Sequence, residues 1–313
     1  MSALRVDSLP RHHLALREDC RSLRLGRLTA PRHYRLAGAR SGSRINAHPF
    51  RSPTPVRMPV IRAPLVALCL LSLLPRTASA TWSLIVLDRQ TGFVGVAGAS
   101  CTSDVHGIMA LFPGRGALVA QAISHPSAMR EGIRLLRDGV TPDSVLRALS
   151  ATPLDSALHD RQYAIATFTG GQVQFTGDAL RDHRGERSAP DILVQGSLLA
   201  GPAVLEKALE AVQQARAAGR SMEEVLMAGL KAGSDAGGDS RCGAQRATAA
   251  FLAVAKPDDN PNWPFLTLRV VDAARGSAVN AVELLDARLV LWQRNGGRAL
   301  RLTSETVKPD STR

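Results

Sequence analysis

Apolar positions fall in short runs closed by polar, glycine-bearing turns, and their spacing switches repeatedly between strand-like and helix-like blocks. Residues 81–88 and 93–100 are almost continuously apolar on either side of Arg89-Gln90-Thr91-Gly92, which predicts a β-hairpin whose strands are covered on both faces. With Asp88 facing Phe93 across that turn, the register sets Thr81 opposite Ser100. Gly95, Ala97, Gly98 and Ala99 are small and admit a close second layer. A second strand pair is predicted over residues 108–112 and 117–123, around Pro113-Gly114-Arg115-Gly116. Two helices follow. Met129, Ile133 and Leu136 mark the inner face of the first, and Thr141-Pro142 opens the second with Val145, Leu146 and Leu149 inward.

Residues 162–168 and 172–176 predict a third hairpin, and 192–196 a strand or extended segment. Helices are expected over 202–218 and 222–232, the latter opened by a Ser221/Glu224 capping box. A glycine-rich loop at 237–243 precedes strands at 248–255 and 265–271 and a last helix at 278–293. Strand runs alternating with helix pairs predict an α+β fold: two antiparallel sheets face to face, with helices outside. There is no internal repeat or interdomain linker.

Upstream of residue 81 the pattern changes. Arg62, the apolar stretch Ala63 to Leu74 and the small residues Ala78-Ser79-Ala80 have the form of a Sec-type signal peptide spanning 58–80. Twelve helical residues reach only about 18 Å against a hydrocarbon core of about 30 Å, so the stretch is read as a cleaved signal and not a stable membrane anchor. Residues 1–57 are rich in Arg, His, Ser and Pro without a hydrophobic period. An upstream start misassigned ahead of Met58 is the favoured reading, with a long n-region or an organelle transit peptide as alternatives. The remaining chain divides into one domain over 81–295 and a polar tail over 296–313.

Charge sorts the same way. The formal net charge of +12 comes almost wholly from the leader: residues 1–80 hold 14 Lys and Arg against 3 Asp and Glu, and residues 81–313 hold 25 against 24. The working domain lacks the net basic excess that marks nucleic-acid binding. Cys20 and Cys69 leave with the leader, while Cys101 and Cys242 remain as an even pair in an oxidising compartment. They are read as a disulfide, with two buried free thiols as the alternative.

Cleavage after Ala80 would leave Thr81 as the first residue. A threonine hydroxyl is a poor nucleophile until a base takes its proton, and a free α-amine on the same residue can be that base. Its reference pKa of about 7.7–8.0 leaves part of it neutral near pH 7. The β-branch restricts χ1 and holds the oxygen near the amine.

From Thr81 onward the chain resembles the DUF1028 family. The resemblance is carried by Thr81-Trp82-Ser83-Leu84-Ile85-Val86, Ala97-Gly98-Ala99-Ser100-Cys101, Pro113-Gly114-Arg115-Gly116-Ala117, Arg161-Gln162-Tyr163-Ala164-Ile165 and Val194-Gln195-Gly196-Ser197-Leu198-Leu199. Thr176-Gly177, Gly238-Asp239-Ser240-Arg241-Cys242 and the segment from Phe251 to Asp259 continue it in order. It implies a four-layer αββα sandwich of the N-terminal-nucleophile (Ntn) hydrolase type, with Thr81 at the start of a central strand. One departure is Ser197, where the family commonly has Asn; if that amide donates to a reaction oxyanion, a serine replaces it only in part.

The resulting expectation is an exported amidohydrolase, periplasmic or secreted, with Thr81 catalytic and a small amide or peptide as substrate. Signal peptidase is the maturation partner, no nucleic acid is implied, and an oligomer is open. Pocket candidates are Ser100, Gln121, Gln195, Ser197, Asp239 and Arg241, each with a structural alternative: a satisfied strand hydroxyl, a buried amide, or a plain ion pair on a glycine-rich loop. His125 reads as a surface or capping residue and Asp258-Asp259 as a solvated turn. No metal-spaced Cys/His cluster, phosphate loop or Gly-x-Ser-x-Gly elbow occurs from Thr81 onward, so no cofactor or metal is implied. The rival function is a non-catalytic binding or scaffold protein on the same fold.

Overall fold

The computed structural model describes residues 81–123, 126–151, 157–180 and 183–297. The leader, the signal segment with Cys20 and Cys69, His125 and residues 298–313 lie outside the described residues.

Strands β1 (Thr81–Asp88) and β2 (Phe93–Ser100) form the first hairpin, and Asp88 pairs with Phe93 and Trp82 with Ala99. Then come β3 (Met109–Phe112), β4 (Gly116–Ala122), helices α1 (Pro126–Arg137) and α2 (Pro142–Leu149), β5 (Arg161–Thr167) and β6 (Gly171–Thr176). Next are β7 (Gly185–Ala189), β8 (Ile192–Ser197), α3 (Ala203–Ala217) and α4 (Met222–Asp235). The last elements are β9 (Ala249–Ala255), β10 (Leu266–Val270) and α5 (Ala281–Arg294). All pairings are antiparallel, in a six-stranded sheet of order β10-β9-β2-β1-β8-β7 and a four-stranded sheet of order β3-β4-β5-β6.

Side-chain alternation divides the interior into three apolar clusters. Trp82, Leu84 and Val86 of β1 pack with α3, α4 and α5 side chains such as Val204, Leu226 and Leu285. Ile85 and Leu87, one position out of phase, join Val94, Val96, Phe251 and, from the smaller sheet, Ala117, Val119, Ala164 and Ala166. Leu118, Ala120 and Ile165, on the other face of the smaller sheet, pack with α1 and α2. This explains the absence of polar alternation in β1 and β2, whose two faces each meet an apolar layer.

Several boundaries differ from the expected ones for local reasons. In α1 the buried positions are Ala128, Gly132 and Leu136, while Met129 and Ile133 are only partly buried. Leu118 approaches Gly132 so closely that a β-carbon there would lie 2.8 Å from its Cδ2, and this fixes which helix face turns inward. The capping box at α4 forms, with Ser221 N donating to Glu224 Oε2 at 3.1 Å. That helix continues three residues beyond the expected Ala232, because Gly233 and Ser234 are buried and keep its inner face productive. The last helix starts at Ala281, where the Asn280 side chain accepts from Val282 N. Residues 240–245 form a short 3-10 segment kinked at Gly243 in place of a plain loop.

Two further consequences can be measured. At Gly229 a β-carbon would lie 2.5 Å from Val212 Cγ2 and 3.0 Å from Leu84 Cδ1, so α3, α4 and β1 meet through the missing side chain. Gly229→Ala is expected to lower stability by about 1–3 kcal/mol in urea denaturation, overpacking outweighing its better helix propensity of about 1 kcal/mol. His106 packs edge-on against Phe251, ring centroids 5.4 Å apart. Burial first, then the Arg269 charge, holds its pKa below the ordinary histidine value against the opposing pull of Asp104. The unfolded chain then binds the proton more readily than the folded one. Stability is full above the unfolded histidine value of about 6.5 and falls as pH drops through it. Denaturation midpoints at successive pH values should fall less steeply in His106→Gln than in the parent.

Candidate functional site

The cluster between the sheets is apolar at one end and polar at the other, and the change occurs at the same level in five strands. In β1, Ile85 and Leu87 give way along the same face to Ser83 and Thr81; in β2, Val94 and Val96 give way to Gly98 and Ser100. In β8, Leu193 is followed on its face by Gln195 and Ser197. From the smaller sheet, Val119 is followed on its face by Gln121, and Ala164 is preceded on its face by Gln162. Thr81 pairs with Ser197 and Ser83 with Gln195 across β1 and β8, while Gln121 pairs with Gln162 across β4 and β5. Two sheets thus bring seven polar side chains together at one end of the interior, all of them buried.

Hydrogen bonds join most of the group. Thr81 Oγ1 donates to Ser100 Oγ at 3.3 Å, and Ser83 Oγ donates to Gln121 Oε1 at 2.6 Å. Gln121 Nε2 donates to the Thr81 carbonyl at 3.3 Å and to Gln162 Oε1 at 2.9 Å. Gln162 Nε2 faces Thr176 Oγ1 at 3.0 Å and the carbonyls of Gly196 at 2.9 Å and Gly185 at 3.3 Å. The two glutamines therefore tie the smaller sheet to β1, β7 and β8 and fix the carbonyl of Thr81. Close approach here depends on Gly196, where a β-carbon would lie 2.9 Å from the Thr81 carbonyl oxygen.

A second arm reaches the group from the loop after α4. Asp239, 0% exposed, uses both oxygens twice. Oδ1 accepts from Arg241 N at 3.0 Å and Arg241 Nε at 3.1 Å; Oδ2 accepts from Arg241 Nη2 at 2.7 Å and Cys101 N at 2.6 Å. The fork holds the guanidinium in one plane, and its Nη2 also reaches Ser100 Oγ at 3.5 Å. Ser100 is thus shared between Thr81 and Arg241. A disulfide between Cys101 and Cys242 spans 141 residues and anchors this loop to the end of β2. Arg275 adds a bond to the Cys101 carbonyl at 2.8 Å.

Every candidate named from the sequence, Thr81, Ser100, Gln121, Gln195, Ser197, Asp239 and Arg241, lies in or against this group, apart from His125, which is outside the described residues. Asp239 and Arg241 do form the ion pair considered as the structural alternative, and that pair also touches Ser100. Sequence reasoning missed Ser83, Gln162 and Arg275. Ser83 was open to inference as the next residue on the face of Thr81, and Gln162 as a polar residue at the end of an apolar strand, the signal that had singled out Gln121.

The group offers hydroxyls, amides and one paired cation. Among the described residues no cluster of three or more His, Cys, Asp or Glu could hold a metal ion, and no helix is long and apolar enough to cross a membrane. A surface cavity of about 680 Å³ lies at the far end of the first hairpin, lined by Asp88, Thr91, Arg220 and Lys256, and is remote along β1 from Thr81.

Residues 81–280 match the model of DUF1028, a family of unknown function. The crystal structure of protein SPO2555 from Silicibacter pomeroyi, assigned to the same family, is similar over 69% of this chain and 90% of its own, with 26% sequence identity and a TM-score of 0.56. No curated protein matches the chain significantly.

Proposed function

Because the chain belongs to the DUF1028 family, whose function is unknown, we propose an activity from the site itself: an amidohydrolase exported to the periplasm or beyond, with Thr81 as N-terminal nucleophile after signal peptidase has removed residues 58–80. The observation that carries it is the coincidence at Thr81. The residue follows the small-residue sequence Ala78-Ser79-Ala80 directly, opens a central strand, and directs its hydroxyl into the buried polar end of the interior toward Ser100. In the full-length chain its nitrogen is a peptide amide and has no basic lone pair; one cut supplies the missing base. The two sheets with helices against their outer faces support an αββα sandwich of the Ntn-hydrolase type.

In this reading Thr81 Oγ attacks an amide carbonyl, the α-amine carries the proton to the leaving nitrogen, and water releases the acyl group. Ser100, held by Arg241, orients the hydroxyl. Gln121, bonded to the Thr81 carbonyl, holds the residue against the smaller sheet.

The intact mass of the product exported from full-length expression is the first test. It should correspond to a chain beginning at Thr81, and a chain beginning at Ala80 or Trp82 removes the catalytic proposal. A non-catalytic scaffold predicts no threonine-dependent turnover even when the mass is right, and equal rates for the parent and Thr81→Ala across a panel of amides would reject the threonine's role.

A further inference from the structure

The three glutamines of the buried group are not equivalent. Gln121 and Gln162 use both ends of their amides on protein partners. Gln195 is 0% exposed, and neither its Nε2 nor its Oε1 has a hydrogen-bond partner among the described residues. The same holds for Ser197 Oγ, on the same face two residues on and also 0% exposed. Buried amides without partners are rare because desolvation is not repaid. β8 lies between β1 and β7 inside the larger sheet, so its backbone is fixed on both sides. Ser197 pairs directly with Thr81, and Gln195 pairs with Ser83, two residues further along the same face of β1, so both orphaned groups belong to the strand that flanks the proposed nucleophile.

The pattern of orphans is specific. A carboxamide presents its oxygen and one N–H along a single edge, and its complement must likewise present N–H and C=O on the same side. Primary carboxamides and lactams do so. A trans secondary amide, the geometry of nearly every peptide bond, turns its N–H and C=O to opposite sides and can satisfy only one of the two. A carboxylate offers two acceptors and leaves Oε1 facing negative charge. Failure to satisfy a buried polar group in a site discriminates strongly between ligands.

We infer that Gln195 and Ser197 form the recognition subsite for a cis amide edge, so that the substrate is a primary carboxamide or a lactam and not a trans peptide bond. The hydrolytic part rests on the Thr81 reading above; the binding part does not. Thr81 Oγ bonds to the carbonyl carbon, and its proton passes through the α-amine to the nitrogen as the C–N bond breaks. A primary carboxamide loses ammonia; a lactam opens to an amine that stays tethered. Water then adds to the ester, its oxygen remains on the acyl carbon as carboxylic acid, and the proton returns to Thr81 Oγ.

The test uses protein from full-length expression, carrying Thr81→Ala and nitrogen-labelled. Propionamide, 2-pyrrolidinone, N-methylpropionamide and propionate are titrated while the Gln195 side-chain amide signal is followed, assigned by its loss in Gln195→Met. Saturable shifts are expected with the first two probes, and binding about tenfold weaker or worse with the last two. Followed on the backbone amide signals of β1 and β8, which both proteins share, all four should bind as weakly to Gln195→Met, whose Tm should be no lower than the parent's because no protein hydrogen bond is lost. Comparable saturation by N-methylpropionamide, undiminished binding in Gln195→Met, or saturation by none of the probes overturns the subsite. With Thr81 restored, ammonia from propionamide distinguishes the carboxamide from the lactam, which yields 4-aminobutyrate. Binding without turnover of either would reject the role of Thr81 and leave the subsite standing.

Discussion

Thr81→Ala is expected to reduce turnover of a cleavable amide by at least about 10³-fold, since removing a nucleophile leaves only what binding and oxyanion contacts supply. The fold should survive the change. Thr81 Oγ1 makes a bond of 3.3 Å to Ser100, and losing such a bond with a few buried atoms costs about 1–2 kcal/mol. Thr81→Ser keeps hydroxyl and amine and should fall by no more than about tenfold, the loss reflecting a less restricted χ1. The discriminating variant leaves Thr81 intact and retains one residue ahead of it after processing. Its hydroxyl is unchanged and its own amine is blocked, so it should be as inactive as the alanine variant. Steady-state rates, with each N-terminus verified by mass, check all three.

What was legible in the sequence was mostly local. The turn at Arg89-Gln90-Thr91-Gly92 closes a hairpin of fixed register, so the approach of Ser100 to Thr81 followed from counting residues, and the bond between them agrees. Placing β8 beside β1 could not be counted in that way. The order β10-β9-β2-β1-β8-β7 brings residue 197 against residue 81 across more than a hundred intervening positions, and no turn specifies that neighbour. β7 was missed for another reason. Gly185–Ala189 is mostly exposed at the sheet edge, and Gly-Glu-Arg-Ser-Ala carries no apolar period to announce a strand.

The same distinction holds inside the site. Gln121 stood out because a single polar residue ends an apolar run, but its function as a tie depends on Gln162 from the neighbouring strand and on carbonyls from the other sheet. Residue type showed that these amides needed partners. Only the packing of two sheets showed that Gln121 and Gln162 have them and that Gln195 does not.

Asp239→Ala is expected to lower stability by about 2–4 kcal/mol in urea denaturation with the disulfide intact. Breaking a buried ion pair from one side costs about 3–5 kcal/mol, because the remaining charge keeps its desolvation without its partner. The lower range follows from the Arg241 side chain, which is 27% exposed and can turn toward water. Part of the loss is not electrostatic: Cys101 N gives up its 2.6 Å acceptor in a buried setting, which costs about 1–3 kcal/mol when nothing replaces it. Asp239→Asn separates the two contributions. Its oxygen can still accept from Cys101 N or from Arg241 but cannot neutralise the guanidinium, so an intermediate loss is expected. A loss equal to that of alanine would show that charge governs, and no loss would show that the amide acceptor is sufficient. Since the disulfide anchors the same loop, combining Asp239→Ala with removal of Cys101 and Cys242 should cost less than the sum of the separate changes. Strict additivity would mean that the bridge and the carboxylate hold the loop independently.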